Sequence, residues 1–465
     1  MQVIQKARKS WLDNTFKLSE HNTNVKTEVI AGMTTFMTMA YILAVNPSIL
    51  GDAGMNTNAV LLATAISSFI GCVCMAFMAN YPFALAPGMG INAYFAYTVC
   101  IGMGVSWQTA LFAVFAEGII FILLSLTNVR EAIFNAIPLN LKTAVSAGIG
   151  LFIAFIGLQN AKIVVNSDVT LVTYQAFKTN FSTEGITALL AIIGVLVTAI
   201  LVIKKVKGDI FIGIIVTWAL GMICQAIGIY VPNPEAGWYS LFPNFSAGWD
   251  FADLGETFGA VFKADFSEIS IANFIVVIFA FLFVDIFETL GTLIGVASKA
   301  DMLDKEGKLP KIKGALMADA VATTSGAVLG TSTVTTFVES ASGVAAGGKT
   351  GLTAIVTGFL FLLSIVLSPV FLSIPSFATA PSLIIVGFYM LCNVVKINFN
   401  DYIESIPAYL TILFMPIMYS ISEGIVIGVI SYTVLVLVTG KAKEKKLSPL
   451  MYVLSILFVC KYIFL

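Results

Sequence analysis

Charge is what this chain of 465 residues has least of: Asp, Glu, Lys and Arg together make up 11%, against about 25% in a soluble domain. A water-solvated globule is thereby excluded, and the solvent must be lipid. An excess of either sign is also missing, because 25 basic and 26 acidic residues leave a net charge of −1, so no basic face is available for a nucleic acid. Histidine is nearly absent. The single one, His21, lies in the polar first stretch, so any proton relay through the apolar part must run on carboxylates. The six cysteines (Cys72, Cys74, Cys100, Cys224, Cys392 and Cys460) all fall in apolar runs, where a thiol acts as a small hydrophobe. Cys72 and Cys74 are too close for a usual zinc pair and have no neighbouring His, so neither disulfide nor metal is expected. No apolar stretch precedes Val29, which predicts a cytoplasmic tail over 1–27 and not a secretory signal.

What is present in abundance is apolar sequence, 58% of residues with a mean hydropathy of +0.95. It comes in runs of about 20, each able to cross a hydrocarbon layer of ~30 Å. Apolar windows lie at 28–50, 58–80, 83–98, 107–127, 141–160, 185–204, 209–231, 271–297, 313–331, 332–346, 350–374 and 378–396. The stretch 404–440, with Pro407, Pro416 and Gly424, is too long for one span and divides near Ser420. The expectation is an all-α polytopic membrane protein of fourteen transmembrane segments. Lys and Arg gather in the tail (Lys6, Arg8, Lys9, Lys17), at Lys204, Lys205 and Lys207, at 299–313 and at 441–446. An even number of crossings separates each cluster from the next, so all four are expected on the cytoplasmic side of the plasma membrane, with the N-terminus there too. The acidic loop 232–270 then lies outside, while 448–465 is either a fifteenth span or, as Lys461 favours, an interfacial helix.

Seven spans, a long loop and seven more suggest two inverted repeats. An offset of about 247 residues carries the windows at 58–80, 83–98 and 107–127 onto 313–331, 332–346 and 350–374, and 28–50 onto 275–297. Spans 3 and 10 share a peculiarity: Ala84 to Tyr97 and Gly330 to Gly343 are short, rich in Gly, Ser or Thr, and polar in the middle. Pro87, Gly88 and Gly90 disfavour helix before about Ile91, and Thr331, Thr333, Val334, Thr335 and Thr336 favour extended chain before Glu339. Each span is therefore expected to be broken, a short strand followed by a half-helix. Such breaks are tolerated only where protein or a watery cavity satisfies the backbone. Both should face an internal site, their free N–H groups turned to a ligand.

The ionisable residues predicted inside the membrane are Glu117, Asp285, Glu288, Asp319 and Glu339, with Asn92 as the prominent amide. Each charge costs roughly 2.5–3.5 kcal/mol on insertion scales, so these are functional candidates. Asp285, Glu288 and Thr289 share one helical face in VDIFETLGTL, and of two carboxylates crowded there at least one should hold a proton near neutral pH, as a proton carrier would. Glu117 and Asp319 read instead as packing or gating residues near span ends. Asn92 and Glu339 occupy equivalent places in the two halves, each just inside its half-helix. Amide and carboxylate together could read the hydrogen-bonding edge of a flat heterocycle, although a plain helix cap would also account for Asn92. Phe95, Phe287 and Phe337 are candidates for stacking. The string GVAAGGKT (Gly343 to Thr350) fits a phosphate loop but sits between membrane segments with no nucleotide fold around it, so direct use of ATP is not expected.

TEVIAGMTTFMTMAYILAVNPSIL (Thr27 to Leu50), APGMGINAYFAY (Ala86 to Tyr97), VDIFETLGTL and TTFVESASGVAAGGKTG (Thr335 to Gly351) together resemble the nucleobase–ascorbate transporter family, in its purine permease branch. The resemblance runs nearly end to end. It implies fourteen spans with a core domain (spans 1–4 and 8–11; 28–127 and 271–374) moving against a gate domain (spans 5–7 and 12–14; 128–231 and 375–465). It also implies proton-coupled symport of a purine nucleobase, hypoxanthine or guanine before adenine, with no cofactor beyond the proton gradient, and often a homodimer. Gly90, Asn92, Asp285, Glu288, Phe337, Val338 and Glu339 fall on positions expected to bind the base, and Asp285, Glu288 and Glu339 on positions expected to couple protons. The span-8 histidine of uracil-type relatives is missing. Three rivals remain open: an anion carrier of related fold, disfavoured by the carboxylate-rich site; an intramembrane enzyme, for which no nucleophile with a base is evident; and a channel, which saturable, proton-dependent uptake would exclude.

Overall fold

The computed structural model describes residues 11–126, 137–167, 169–178, 180–233, 238–243, 251–299, 302, 309–445 and 447–464. It is a mostly helical, multi-pass membrane protein in which, among the described residues, ten helical segments are long and apolar enough to cross a bilayer. In chain order the helices are α1 (Trp11–Phe16), α2 (Val25–Met39), α3 (Ile42–Asp52) and α4 (Thr57–Met78), then strand β1 (Leu85–Pro87), α5 (Met89–Ala93), a π-helix at Tyr94–Gly102, α6 (Trp107–Leu126) and α7 (Leu139–Asn160). A hairpin of β2 (Val164–Ser167) and β3 (Leu171–Tyr174) follows, then α8 (Ile186–Ile203), α9 (Asp209–Ala226), the short α10 (Leu254–Thr257), α11 (Ile271–Lys299), α12 (Ile312–Leu329) and strand β4 (Val334–Thr336). The chain ends with α13 (Ser340–Ala345), α14 (Gly351–Ser364), α15 (Ser368–Leu372), α16 (Ser376–Leu391), α17 (Tyr402–Ile417), α18 (Ile421–Val438) and α19 (Pro449–Phe464).

Two groups of helices are distinguished by whom they pack against. α4 lies against α3, α12 and α14; α6 against α11 and α12; α2 against α13 and α14. Separately, α7 packs on α16 and α17, α17 on α18, and α8 on α9 and α16. Small residues permit the close approaches within each group, as membrane helices without a hydrophobic driving force require. A Cβ on Gly150 would lie 2.5 Å from the Gly387 carbonyl, joining α7 to α16, and one on Gly351 would lie 2.6 Å from Ala76 Cα, joining α14 to α4.

The expected division near Ser420 is present: α17 stops at Ile417, and the Ser420 hydroxyl caps α18 by accepting from the Glu423 N–H at 3.4 Å. The all-α expectation needs correcting at the β2–β3 hairpin, where the β-branched run around Val164–Thr173 pairs antiparallel. Span 1 is two helices, hinged at Ala40 and Tyr41.

Candidate functional site

Spans 3 and 10 are each broken, a strand followed by a short helix, and the two breaks meet. β1 and β4 pair antiparallel, with Leu85 opposite Thr336 and Pro87 opposite Val334. The pairing extends past both strands: Gly88 N–H donates to the Thr333 carbonyl at 3.0 Å, Phe337 N–H to the Ala84 carbonyl at 3.0 Å, and Ala84 N–H to Ser340 Oγ at 3.0 Å. The interrupted backbones thus satisfy one another deep in the protein, the condition under which irregular chain survives at membrane depth. This differs in one respect from the sequence expectation. The N–H groups of Ser340, Ala341 and Ser342 are used in local turns, to the carbonyls of Phe337, Val338 and Glu339, so the half-helix of span 10 does not turn these three to a ligand. α5 begins at Met89, two residues before the expected start, and Glu339 is the residue preceding α13, not inside it.

The predicted site residues gather around this crossing. Asn92 is fully buried in α5, and its Oδ1 accepts from the Ser332 hydroxyl just before β4. That contact spans the two breaks, so the amide is no simple cap of its own helix. Its Nδ2 has no hydrogen-bond partner among the described residues. Glu288 projects from α11 against the backbone of span 3: a Cβ on Gly88 would lie 3.2 and 3.3 Å from its two carboxylate oxygens, and one on Gly90 would lie 3.7 Å from Oε2. That Oε2 is buried and also unpartnered among the described residues. Glu339 is held through Oε1 by the phenol of buried Tyr41 at 2.7 Å, a residue from the hinge of span 1. Phe337 is buried, whereas Val338 is 49% exposed. Of the other stacking candidates, Phe95 is buried with its ring 6.4 Å from Phe281, and the Phe287 side chain lies outside the described residues.

Asp285, expected to share one cavity with Glu288, lies in a cluster of carboxylates and hydroxyls. Asp285 is fully buried, and its Oδ1 lies 2.8 Å from the hydroxyl of Thr289. That hydroxyl is also within 3.0 Å of both Asp319 oxygens and 2.6 Å from Thr335 Oγ1 in β4. With a single hydrogen, Thr289 can donate to either aspartate while accepting from Thr335. The placement of Asp319 and Glu117 near span ends is corrected here. Both are fully buried within their helices, and Glu117 Oε2 accepts from Thr333 at 2.9 Å, next to the β1–β4 crossing. Their apolar sequence context hid this, because proximity to a strand about 216 residues away leaves no periodic signal. Tyr41, Ser332 and Thr335 were likewise not singled out; as neutral residues in apolar or Thr-rich runs they carry no mark of their own.

The phosphate-loop-like string is occupied from within. Glu28, fully buried in α2, accepts from the Lys349 and Thr350 N–H groups at 3.0 and 3.2 Å and from the hydroxyls of Thr350, Thr353 and Thr23 at 2.9, 2.7 and 2.8 Å. A carboxylate of the chain itself fills the cradle a phosphate would need.

The transmembrane domain of the cyanobacterial bicarbonate transporter BicA has a similar fold, with a TM-score of 0.57 at 15% identity over 87% of this chain and 97% of that one. Among sequence relatives, the guanine/hypoxanthine permease PbuG of Bacillus subtilis is 44% identical over 97% of this chain and 99% of its own length. The adenine permease AdeP of Escherichia coli is 40% identical over 100% of this chain and 98% of its own length. Residues 26–427 match the profile of the Permease family Xan_ur_permease. With that match covering most of the chain, and relatives alike from end to end, the protein belongs to the Xan_ur_permease family of nucleobase–ascorbate transporters.

Proposed function

We propose that this permease imports purine nucleobases, hypoxanthine and guanine first, across the plasma membrane in symport with protons, the base binding where spans 3 and 10 cross. One observation carries the reading: Asn92 Nδ2, a donor, and Glu288 Oε2, an acceptor, are both buried at the same crossing and unpartnered among the described residues. Leaving such groups unmatched costs about 1–3 kcal/mol each, which a ligand with a complementary edge recovers. The N–H beside a carbonyl on hypoxanthine or guanine offers that complement. So does the amino group beside a ring nitrogen on adenine, and likeness to AdeP keeps an adenine-preferring carrier as the second reading.

Gly90 lets the backbone approach the base, Phe337 and Val338 bound it, and Glu339, steadied by Tyr41, takes part in binding. Asp285, Glu288 and Glu339 carry the coupled protons. The packing groups support a core domain of spans 1–4 and 8–11 moving against a gate domain of spans 5–7 and 12–14 by alternating access. The separation of β1 and β4, 334 − 85 = 249 residues, supports two inverted repeats of seven spans, close to the offset of about 247 in the sequence. A cytoplasmic N-terminus and a homodimer complete the reading.

The test is uptake of radiolabelled hypoxanthine in cells without purine carriers of their own, competed with unlabelled guanine, adenine, xanthine and uracil. Saturable uptake that collapses with a protonophore and yields to purines alone is the expected result, and the competitors rank the substrates. Well-expressed protein that takes up no base sinks the purine reading.

A further inference from the structure

The π-helix at Tyr94–Gly102, nine residues long, is unusual, since this geometry normally occurs as a single turn and often at functional sites. Two consecutive residues within it hydrogen-bond across to the helix group of α7, α16, α17 and α18. Tyr97 donates its phenolic hydrogen to Asp52 Oδ2 at the end of α3, 2.7 Å away, and its oxygen accepts from Asn160 Nδ2 at the end of α7, 3.0 Å away. Thr98 Oγ1 donates to the Tyr419 carbonyl, in the link between α17 and α18, at 3.1 Å. Tyr419 holds a left-handed backbone (φ 53°), which is uncommon for a bulky residue, and its ring meets those of Tyr97 and Phe152 edge-on at 5.9 and 5.4 Å. Beyond this seam lies a cavity of about 400 Å³ whose lining includes Asp52, Gln159, Asn160, Lys162, Ser376 and Tyr419. By chain direction it sits at the opposite face from Lys204, Lys205 and Lys441.

We propose that Tyr97 and Thr98, set by the π-helix, form the outer latch of the carrier: bonded to Asn160 and Tyr419 they close the path between the outer cavity and the site at Asn92. The inference rests on the alternating-access reading but not on the identity of the solute. Returning the segment to α geometry would rotate its side chains by roughly one residue's turn, about 100°, carrying Tyr97 and Thr98 off both partners together. Tyr97 is 8% exposed and Asn92, five residues earlier in the chain, is fully buried, so the latch separates solvent from the site over a short distance.

The test uses thiol accessibility and no substrate. Ile156, one turn inside Asn160 on α7 and 1% exposed, is replaced by Cys as a reporter, and intact cells are treated with a membrane-impermeant maleimide, with labelling of the parent chain subtracted. Adding Tyr97→Phe, which keeps the ring but loses both hydroxyl bonds, should raise the labelling rate about fivefold or more. Asn160→Ala, which removes only the cross-link, should raise it by a similar factor. A control cysteine at Leu61, buried in α4, should not change. The proposal is overturned if both variants, shown monodisperse by gel filtration, label like the reporter alone. Equal rises at Leu61, which would mean general loosening, overturn it too, as does reporter labelling only from the cytoplasmic face of inverted vesicles. A failure of purine uptake alongside latch-dependent labelling would count against the substrate and leave the latch standing.

Discussion

Replacing Glu28 by Gln keeps the volume of a fully buried side chain but exchanges one acceptor oxygen for an amide that can only donate. In the parent, Oε1 accepts from Thr23 Oγ1 and Lys349 N–H, and Oε2 from Thr350 N–H, Thr350 Oγ1 and Thr353 Oγ1. With the amide in the Oε1 slot, Thr23 can rotate its hydroxyl to accept, but the Lys349 N–H has no such freedom and is stranded, at about 1–3 kcal/mol. The three bonds at the other oxygen fall from charge-assisted to neutral, each weakened by about half. Relief from burying a charge offsets part of this, leaving a net loss of about 2–4 kcal/mol. Because those bonds tie α2 to the N-terminus of α14, the loss should register as a lower unfolding free energy in detergent, with the segment 343–353 becoming protease-sensitive first. Lys349→Ala, which removes an exposed side chain and keeps the N–H, should leave stability within about 0.5 kcal/mol and leave uptake insensitive to ATP depletion while the proton gradient is clamped. If the Gln variant unfolds like the parent, the Glu28 bonds do not hold this joint and the reasoning fails.

Tyr41→Phe removes the side-chain bond that fixes Glu339, a charge-assisted one worth about 1.5–3 kcal/mol; KM for the base should rise about tenfold or more while the variant still expresses and folds, and an unchanged KM would detach Tyr41 from the site. Gly88→Ala places a methyl 2.7 Å from Thr335 and about 3.2 Å from Glu288, overpacking worth about 1–3 kcal/mol; uptake should fall at least tenfold, and normal uptake would show that the breaks have slack. At the membrane edge, the hydrogen bond and charge of Lys445 hold the Asp401 carboxyl below the usual carboxylate range, so its contribution to stability is full above about pH 4 and is lost as pH falls through the depressed value. Asp401→Asn, an equally good N-cap for α17, should therefore melt below the parent at neutral pH, with the difference shrinking in acid; a difference that is constant with pH would remove the charge from the explanation.

Much of this protein is legible without coordinates because membrane helices answer to local rules. Length and apolarity mark the long apolar helices, and the division at Ser420 follows because 404–440 is too long for one span. The broken spans also announce themselves, since Pro87, Gly88, Gly90 and the threonines of 331–336 are local statements about backbone geometry. What the sequence could not determine is who faces whom. Glu117 and Asp319 reach the crossing only because β4 packs on α11 and α12 while Thr333, just before it, meets α6. Tyr41 is recruited by Glu339 from a position 298 residues away. The Glu28 cradle and the Tyr97 latch have the same origin: hydrogen bonding is directional and short-ranged, so its pairing is set by the meeting of segments far apart in the chain, which hydropathy and spacing do not encode.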